Sequence, residues 1–536
     1  MTGIWAATAP PVVTSDADRY EADIVIIGSG AGGATTAWAL AGSGARVLVL
    51  ERGGFLPREG ANWSARAVFA ERRYHNAEPW RTPAGKRFVP AAHYYVGGTT
   101  KVYGAGLPRL RTSDFGAVEH REGTSPAWPF GYQELEPYYA EAERLYRVHG
   151  GAADSDSASD ADTASDAGAD ADAGQDPTAP PRSGPFPHPP VPHEPVIAGL
   201  ARRLRHQGLH PYPLELGVDL GPDRPCLRCG TCDGFPCRVG AKSDAETRAL
   251  RPALRRGNVR LLTHTRVTRL TTDPTGRTVS TVHALREGHP LTVRAARVVL
   301  AAGAINSAAL LLRSACAAHP DGLANGTGLV GRNLMLHNNS VLLAVDPRQR
   351  NPVVFQKTLA VNDFYQAGPD RPYPLGNLQL MGKVGAEMLP PGYPYRLREW
   401  VAGHSLDWWV MSEDLPDPRN RVTLAPDGQI TVRRVATNLR AHRDLLRAAR
   451  RMLRRAGYPL VLSHRMGLDA TGHQCGTTVA GLDEAHSVLD PFCRSHQVRN
   501  LYVVDGGFFP SSAAVNPTLT IAAQALRTAR RGGLLD

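Results

Sequence analysis

The sequence predicts an α/β protein: a largely parallel sheet assembled from separated stretches of chain, joined to a second, α+β unit with an antiparallel sheet. Three observations carry this. A short apolar strand, Ala22-Asp-Ile-Val-Ile-Ile27, runs straight into Gly28-Ser-Gly30-Ala-Gly-Gly33 and an alanine-rich helical stretch to Leu40. A second strand, Ala45-Arg-Val-Leu-Val-Leu50, ends in the acid Glu51. Far downstream, Asn500-Leu-Tyr-Val-Val-Asp505-Gly506-Gly507 reads as a further strand, and Val515-Asn516-Pro517-Thr518 opens a helix.

The first unit, in order, is strand, glycine turn, helix and strand, the start of a Rossmann-like dinucleotide site. Gly28 permits the tight turn, Gly30 lets the backbone approach a pyrophosphate, and Gly33 allows the helix to pack on the strand. Glu51, followed by Arg52, stands where a carboxylate meets a ribose hydroxyl. Further on, Val259 to Val267 reads as the edge of a strand pair, and Ala296 to Ala302 as a buried strand entering a helix at Ser307. From His337 to Arg440 the pattern alternates and is rich in Pro and aromatics, which predicts a mainly antiparallel substrate unit. Its Trp408-Trp409 pair reads equally as core and as substrate wall. Residues 441 to 457 have apolar positions at helical spacing and end on Gly457, an amphipathic surface helix. The expected divisions are a tail at 1–20, a dinucleotide domain at 21–150 and 183–336, an insertion at 151–182, the substrate domain at 337–440, and a return to the first domain at 441–536. Between Asp154 and Asp176 the insertion holds eight aspartates among Ala, Ser, Gly and Thr, a composition that buries no core and predicts disorder. Deleting roughly residues 152 to 180 is expected to leave activity nearly intact.

A chain of 536 residues with 42% apolar content suggests two to four domains with sizeable cores. The net charge of +11 comes from scattered arginines, clustered modestly at Arg202–Arg205, Arg251–Arg256 and Arg447–Arg455 without interleaved aromatics. That pattern speaks against nucleic acid as a partner. The first twenty residues lack a basic start followed by an apolar run, and no stretch is long and apolar enough to span a bilayer. The expectation is a cytoplasmic protein with no membrane partner. Seven cysteines, four of them crowded, do not resemble an extracellular disulfide framework. The crowded run, Cys226-Leu-Arg-Cys229-Gly-Thr-Cys232-Asp-Gly-Phe-Pro-Cys237, has the spacing used in iron–sulfur ligation, but its fourth cysteine breaks the usual three-residue step. Free thiols or disulfides, a cluster and a structural zinc stay open.

The segment His473-Gln-Cys-Gly476-Thr477, together with Asn516, supplies an imidazole and a carboxamide at two turns of the closing unit. Oxidising an alcohol needs a base for the hydroxyl proton and an acceptor for the carbon-bound hydride. His473 suits the base, and Asn516 suits a donor that holds the alcohol oxygen. The helix opening at Pro517 and Thr518 points a positive end at any reduced acceptor. Each residue has a plainer reading as well. Asn516 caps that helix, His337 packs at the domain junction, and Asp505 ends a strand, although with Gly506 it also brings backbone N–H groups towards a pyrophosphate.

Taken in order, the Gly28–Gly33 fingerprint with Glu51, the Gly97-Gly98-Thr99-Thr100 loop, Ala301-Ala-Gly303-Ala-Ile-Asn-Ser307, Val330-Gly-Arg-Asn-Leu-Met-Leu-His337, Pro418-Arg-Asn-Arg-Val422 and the closing His473 to Leu526 resemble the glucose-methanol-choline family of flavin oxidoreductases. The resemblance implies FAD, a non-contiguous FAD-binding domain, a substrate domain with a six-stranded antiparallel sheet (the GMC fold), and oxidation of an alcohol. It also implies that Gly97, Gly98, Thr99, Tyr103, Gly104, Val267 and Ala302 join the fingerprint in holding FAD. Two departures are informative. Members that bond FAD covalently carry a histidine near the position of Val102, so FAD is expected to be noncovalent here, with His93 the lesser candidate for attachment. The His473–Asn516 pair is similar to that of the pyranose and cholesterol oxidases of the family. The run Tyr502 to Pro510 with the following helix is similar to oxidases that act on the 6′-hydroxymethyl of aminoglycoside precursors. The small-molecule substrate is therefore expected to be a sugar or aminosugar alcohol, with Glu413, Asp414 and Asp417 as candidates to offset a cationic one. The expected electron acceptor is O2, released as peroxide. A dehydrogenase serving another acceptor, through a cluster in the cysteine loop, and a nonredox lyase or binding protein are the alternatives.

Overall fold

The computed structural model describes residues 17–151, 174–221, 226–469 and 472–536. Two sheets organise it. In the first, Val259–Leu262, Val47–Leu50, Arg19–Ile27 and His289–Leu300 lie side by side and parallel, and Leu501–Val503 pairs in parallel with the end of the last. The strands from Val47 and Arg19 end in unbroken buried apolar runs, as expected where a parallel sheet is covered on both faces. Thr265–Thr272 and Val279–Arg286 extend the sheet as antiparallel strands. The registers Ile27↔Leu50, Ile27↔Leu300 and Leu300↔Val503 align the carboxyl ends of these strands. The segments after Ile27, Leu50, Leu300 and Val503 therefore leave from one edge, where open α/β sheets bind ligands.

The second sheet is antiparallel throughout, in the order Leu460–Arg465, Asn338–Val345, Ser405–Ser412, Asn377–Leu380, Leu359–Val361, Pro211–Pro213. Period-two alternation splits its faces. Leu342, Leu359, Leu378, Leu380, Trp408 and Val410 pack under the helices Pro195–Arg205 and Leu439–Arg455. Asn377 and Gln379 alternate with Leu378 and Leu380 and turn to the opposite face. Trp408 is core, and Trp409, its neighbour in sequence, is half-buried on the other side.

Several expected boundaries move. Arg19 already pairs with Thr292, so the tail is shorter than 20 residues, and residues 1–16 lie outside the described ones. The helix after Leu300 begins at Ala304 and not at Ser307. Pro211–Pro213 and Leu460–Arg465, placed with the dinucleotide domain on sequence, are strands of the second sheet, because their pairing partners lie far away in the chain. Most of the predicted insertion, 152–173, lies outside the described residues. Its end does not behave as a disordered tail: Asp176 forms an ion pair with the buried Arg111, and Tyr132 Oη donates to the carbonyl of Pro181 at 2.6 Å.

Candidate active site

The nucleotide end is built from glycines whose absent side chains serve different neighbours. Gly28 has φ +101°, and a Cβ there would fall 2.4 Å from the carbonyl oxygen of Ala301. A Cβ on Gly32 would meet the carbonyl oxygen of Val504 at 2.0 Å, and one on Gly33 that of Gly28 at 2.0 Å. These three are required by the chain itself. Gly30 is not, since a Cβ there meets nothing within 4 Å. It caps the helix Ala31–Leu40, whose first turn receives no side-chain cap, so backbone donors there stay open to an anion.

Glu51 lies buried at the end of the second strand and accepts from Ser29 N at 3.1 Å, Ser29 Oγ at 2.6 Å and Gly53 N at 2.9 Å. Three donors leave one carboxylate position for a ribose hydroxyl. Gly97 N donates to Ser29 Oγ at 3.1 Å, and a Cβ on Gly98 would lie 3.1 Å from Gly30 Cα, so the Gly97–Gly98 loop lies on the fingerprint. Thr99 is exposed beside Gly472. Arg52 is occupied by Glu78 and by the ring of Tyr94 at 3.6 Å. Val267 is half-buried in its strand next to a bulge, and Ala302 N donates to Ser307 Oγ at 3.3 Å. The Asp505 carboxylate ties Gly303 N at 3.0 Å, Ser307 Oγ at 2.5 Å and Gly507 N at 2.9 Å, joining two of the loops at the sheet edge. The open space at Gly30, the uncapped helix and the remaining Glu51 position fit a dinucleotide cofactor.

His473 is placed by pairing. Cys475 bridges Met335 in antiparallel register, with N–H···O bonds of 3.0 and 3.1 Å, so the residues two steps outward, His337 and His473, come face to face. Gly476 N donates to Gly506 O at 3.1 Å, which fastens this segment to the end of the last parallel strand. His473 Nδ1 and His337 Nδ1 are 2.9 Å apart, and His337 Nε2 is 3.0 Å from the carbonyl oxygen of Ser512. A carbonyl only accepts, so His337 carries its proton on Nε2 and accepts at Nδ1 when neutral. His473 must then donate from Nδ1, which leaves Nε2 as a free lone pair. Burial, the adjacent His337 and the Lys357 charge hold His473 well below the usual imidazole range. Burial likewise lowers His337.

Asn516 precedes Pro517, the cap of the helix Thr518–Arg531, and Pro517 gives no side-chain cap; the Asn516 carboxamide instead accepts from Gln379 Nε2 at 3.1 Å. Its NH2 group is thereby turned outward as a donor, and Asn516 is half-buried. The loop Thr99–Gly106 runs between the two: Thr99 Cγ2 would lie 3.9 Å from a Cβ on Gly472, and Asn516 Oδ1 3.3 Å from one on Gly106. Two buried lysines fix that loop. Lys101 Nζ binds Asp244 at 2.9 Å and Glu246 at 2.6 Å, while Lys242 Nζ donates to the carbonyls of Tyr103, Cys232 and Phe235 at 2.7, 2.8 and 2.7 Å. The Tyr103 hydroxyl donates to the Ser243 carbonyl.

Comparisons with known proteins identify the family. GMC oxidoreductase models match residues 216–339 and 416–525, and an FAD dependent oxidoreductase model matches residues 23–123. The chain is 32% identical to 6'''-hydroxyparomomycin C oxidase of Streptomyces lividus, over 95% of this chain and 90% of that protein. The chain belongs to the GMC oxidoreductase family. It is also 32% identical to paromamine 6'-oxidase of Streptomyces fradiae, over 96% and 92% of the two chains. With 2-methyl-1,2-propanediol dehydrogenase of Mycolicibacterium austroafricanum it shares 29%, over 96% and 95%. Among solved GMC-like folds, pyridoxine 4-oxidase from Mesorbium loti superimposes with a TM-score of 0.64 at 20% identity, covering 95% of this chain and 98% of that one. Formate oxidase of Aspergillus oryzae gives 0.65 at 17%, covering 96% and 98%. As a GMC oxidoreductase, this chain is an FAD-dependent enzyme that oxidises a small-molecule alcohol at its CH–OH group. Among the described residues no helix is long and apolar enough to cross a membrane.

The GMC site also corrects several expectations. His337 does not simply pack at a junction, because it hydrogen-bonds His473. Glu413 is taken by His120 at 3.0 Å and Ser125 at 2.5 Å, Asp414 by Arg434 at 3.0 Å, and Asp417 by Arg419 at 2.6 Å, so these acids already have partners. The cysteines 226, 229, 232 and 237 form no disulfide, and among the described residues no three His, Cys, Asp or Glu side chains converge as a metal site. That passage contributes Asp233 and the carbonyls that hold Lys242. Gln379, Lys357 and Asp233 had no signal in sequence, since each acts on a residue more than a hundred positions away.

Proposed function

We propose that this oxidoreductase converts a hydroxymethyl or ring hydroxyl of a sugar or aminosugar to the carbonyl, with His473 as base and Asn516 as the group that holds the alcohol oxygen. The observation that carries the reading is the relay from the Ser512 carbonyl through His337 to His473, which leaves His473 Nε2 unprotonated at neutral pH. Asn516, turned by Gln379, donates to the hydroxyl oxygen and orients it; His473 Nε2 takes the hydroxyl proton as the C–H bond breaks. Bound FAD supplies the hydride acceptor. Gly28, Gly30, Gly33, Glu51, Gly97, Gly98 and Asp505–Gly506 would hold it, and the uncapped helix at Thr518 would favour negative charge placed beside it. The sugar assignment is supported by two relatives named as aminoglycoside oxidases. Val102 offers no atom for attachment, and His93 is bonded to the Tyr74 carbonyl at 3.2 Å, which supports a noncovalent FAD. Seven cysteines free of disulfides accord with a cytoplasmic setting, and the oxidase names of the same relatives with O2 as acceptor.

An anaerobic screen of sugars, aminoglycosides and simple alcohols, followed by flavin absorbance, tests this. The flavin is expected to bleach with a sugar alcohol and to recover quickly in air with release of peroxide. His473→Ala should keep the flavin and slow bleaching by about 10²- to 10⁴-fold. A variant as fast as the native enzyme would end the base assignment, and slow recovery in air would point to another acceptor.

A further inference from the structure

Behind the Tyr103–Gly106 loop lies a buried ion pair that the reaction above leaves unused. Lys357 is 2% exposed, and its Nζ donates to Asp233 Oδ1 at 2.6 Å. Asp233 is fixed in turn, since its Oδ2 accepts from Gly382 N at 2.6 Å. A Cβ on Gly104 would fall 1.4 Å from Asp233 Oδ1 and 2.0 Å from Lys357 Nζ, so only glycine leaves room for the pair there. Two residues further along the same loop, Gly106 lies against Asn516. The ammonium is also close enough to His473 for its charge to oppose protonation of that ring. Lys357 thus lies behind the loop that runs between the two members of the reacting pair. A primary ammonium carries three N–H donors, and among the described residues Asp233 is the acceptor that meets it. Buried donors left without acceptors are costly, and two remain.

We propose that Lys357, aligned by Asp233, is a substrate-positioning residue that donates to an oxygen on the carbon adjacent to the reacting carbinol, selecting vicinal diols and ring-oxygen-bearing hydroxymethyl groups over monofunctional alcohols. This rests on the reading of His473 and Asn516 as the reacting pair. The acceptor is a hydroxyl or ether oxygen and not a carboxylate, because Asp233 already neutralises the ammonium and would repel a second anion. A protonated amine on that adjacent carbon offers no lone pair to accept from Lys357, so an aminosugar must carry its amine farther round the ring.

Tetrahydropyran-2-methanol and cyclohexylmethanol differ by one ring oxygen and test the idea directly. Their binding to the His473→Ala holoenzyme, followed by perturbation of the oxidised flavin spectrum, requires no turnover. The oxygenated alcohol is expected to bind about 10- to 100-fold more tightly. Adding Lys357→Met should bring the two within about twofold, and the kcat/KM ratio of the single variant should fall in step. A preference that is absent at the outset, or that survives Lys357→Met, overturns the proposal. If the methionine variant loses its flavin, the double variant Lys357→Met/Asp233→Asn, which leaves no buried charge unpaired, carries the same comparison. His473 is judged separately, by bleaching rates, so the two readings fail independently.

Discussion

At the scale of single residues, the fingerprint glycines divide by what they make room for, and the division can be measured. Gly32→Ala drives a methyl into the carbonyl of Val504 and should destabilise the fold, because neither backbone can yield cheaply. Gly30 has φ −70° and open space around its missing Cβ, so Gly30→Ala should melt within about a degree of the native protein, as surface changes usually do. The new methyl stands where the pyrophosphate approaches, and FAD affinity should fall by at least about tenfold. Thermal melting of the apoprotein and a flavin titration separate the two; a Gly30→Ala protein that binds FAD normally would remove Gly30 from the site. His473 has a signature in pH. A base of ordinary imidazole character loses half its competence near pH ~6.5. Because burial, His337 and Lys357 all lower the protonated form of His473, and Glu413 and Asp414 act only through His337 behind it, the acid limb of kcat/KM should shift to lower pH. The profile should stay flat as pH falls through 6.5 and drop only below it. A limb centred at or above about 6.5 would contradict the relay.

At the scale of elements, the loop from Gly97 to Gly106 is the hinge between cofactor and chemistry, and its rigidity comes from buried lysines. Lys242 gathers three backbone carbonyls, two from the cysteine-rich passage and one from Tyr103. The methionine in Lys242→Met fills similar space but leaves those carbonyls without that donor, at a cost on the order of 3 kcal/mol. The expected outcome is a lower melting temperature together with weaker flavin retention, measured on the purified protein before and after dialysis. The conserved-volume replacement Cys229→Ser in the same passage touches none of the three carbonyls and should change neither quantity measurably. Equal effects of the two substitutions would return the passage to the thiols.

At the scale of the molecule, what could be read in the sequence was what is local. The glycine fingerprint, Glu51 and the strand before Asp505 each lie within one short run, and their geometry follows from that run. Their edge alignment, through Ile27↔Leu50 and Leu300↔Val503, is what such strands do in any parallel sheet. The supports of the reacting groups are not local. Gln379 reaches Asn516 and Lys357 reaches Asp233 across 137 and 124 residues, and His337 meets His473 across 136, so no periodicity could announce them. The same distance hid the end of the acidic insertion. Arg111, 1% exposed, lies beside the second sheet: it pairs with Asp176, bonds Thr178 Oγ1 at 3.2 Å and faces the ring of Tyr365, while Asn362 Nδ2 reaches Asp176 at 2.9 Å. Removing Asp176 would strand a buried guanidinium, a loss of about 3–5 kcal/mol. Replacing residues 152–173 by a short Gly-Ser linker should therefore leave flavin content and melting temperature near native values, since a run of Asp, Ala and Ser buries no core. Extending the replacement to residue 180 should lower the melting temperature by several degrees, as should Asp176→Ala alone, and restoring Asp176 and Thr178 at the end of the linker should recover it. Indistinguishable melting of the short and long replacements would show that Arg111 does not depend on this segment.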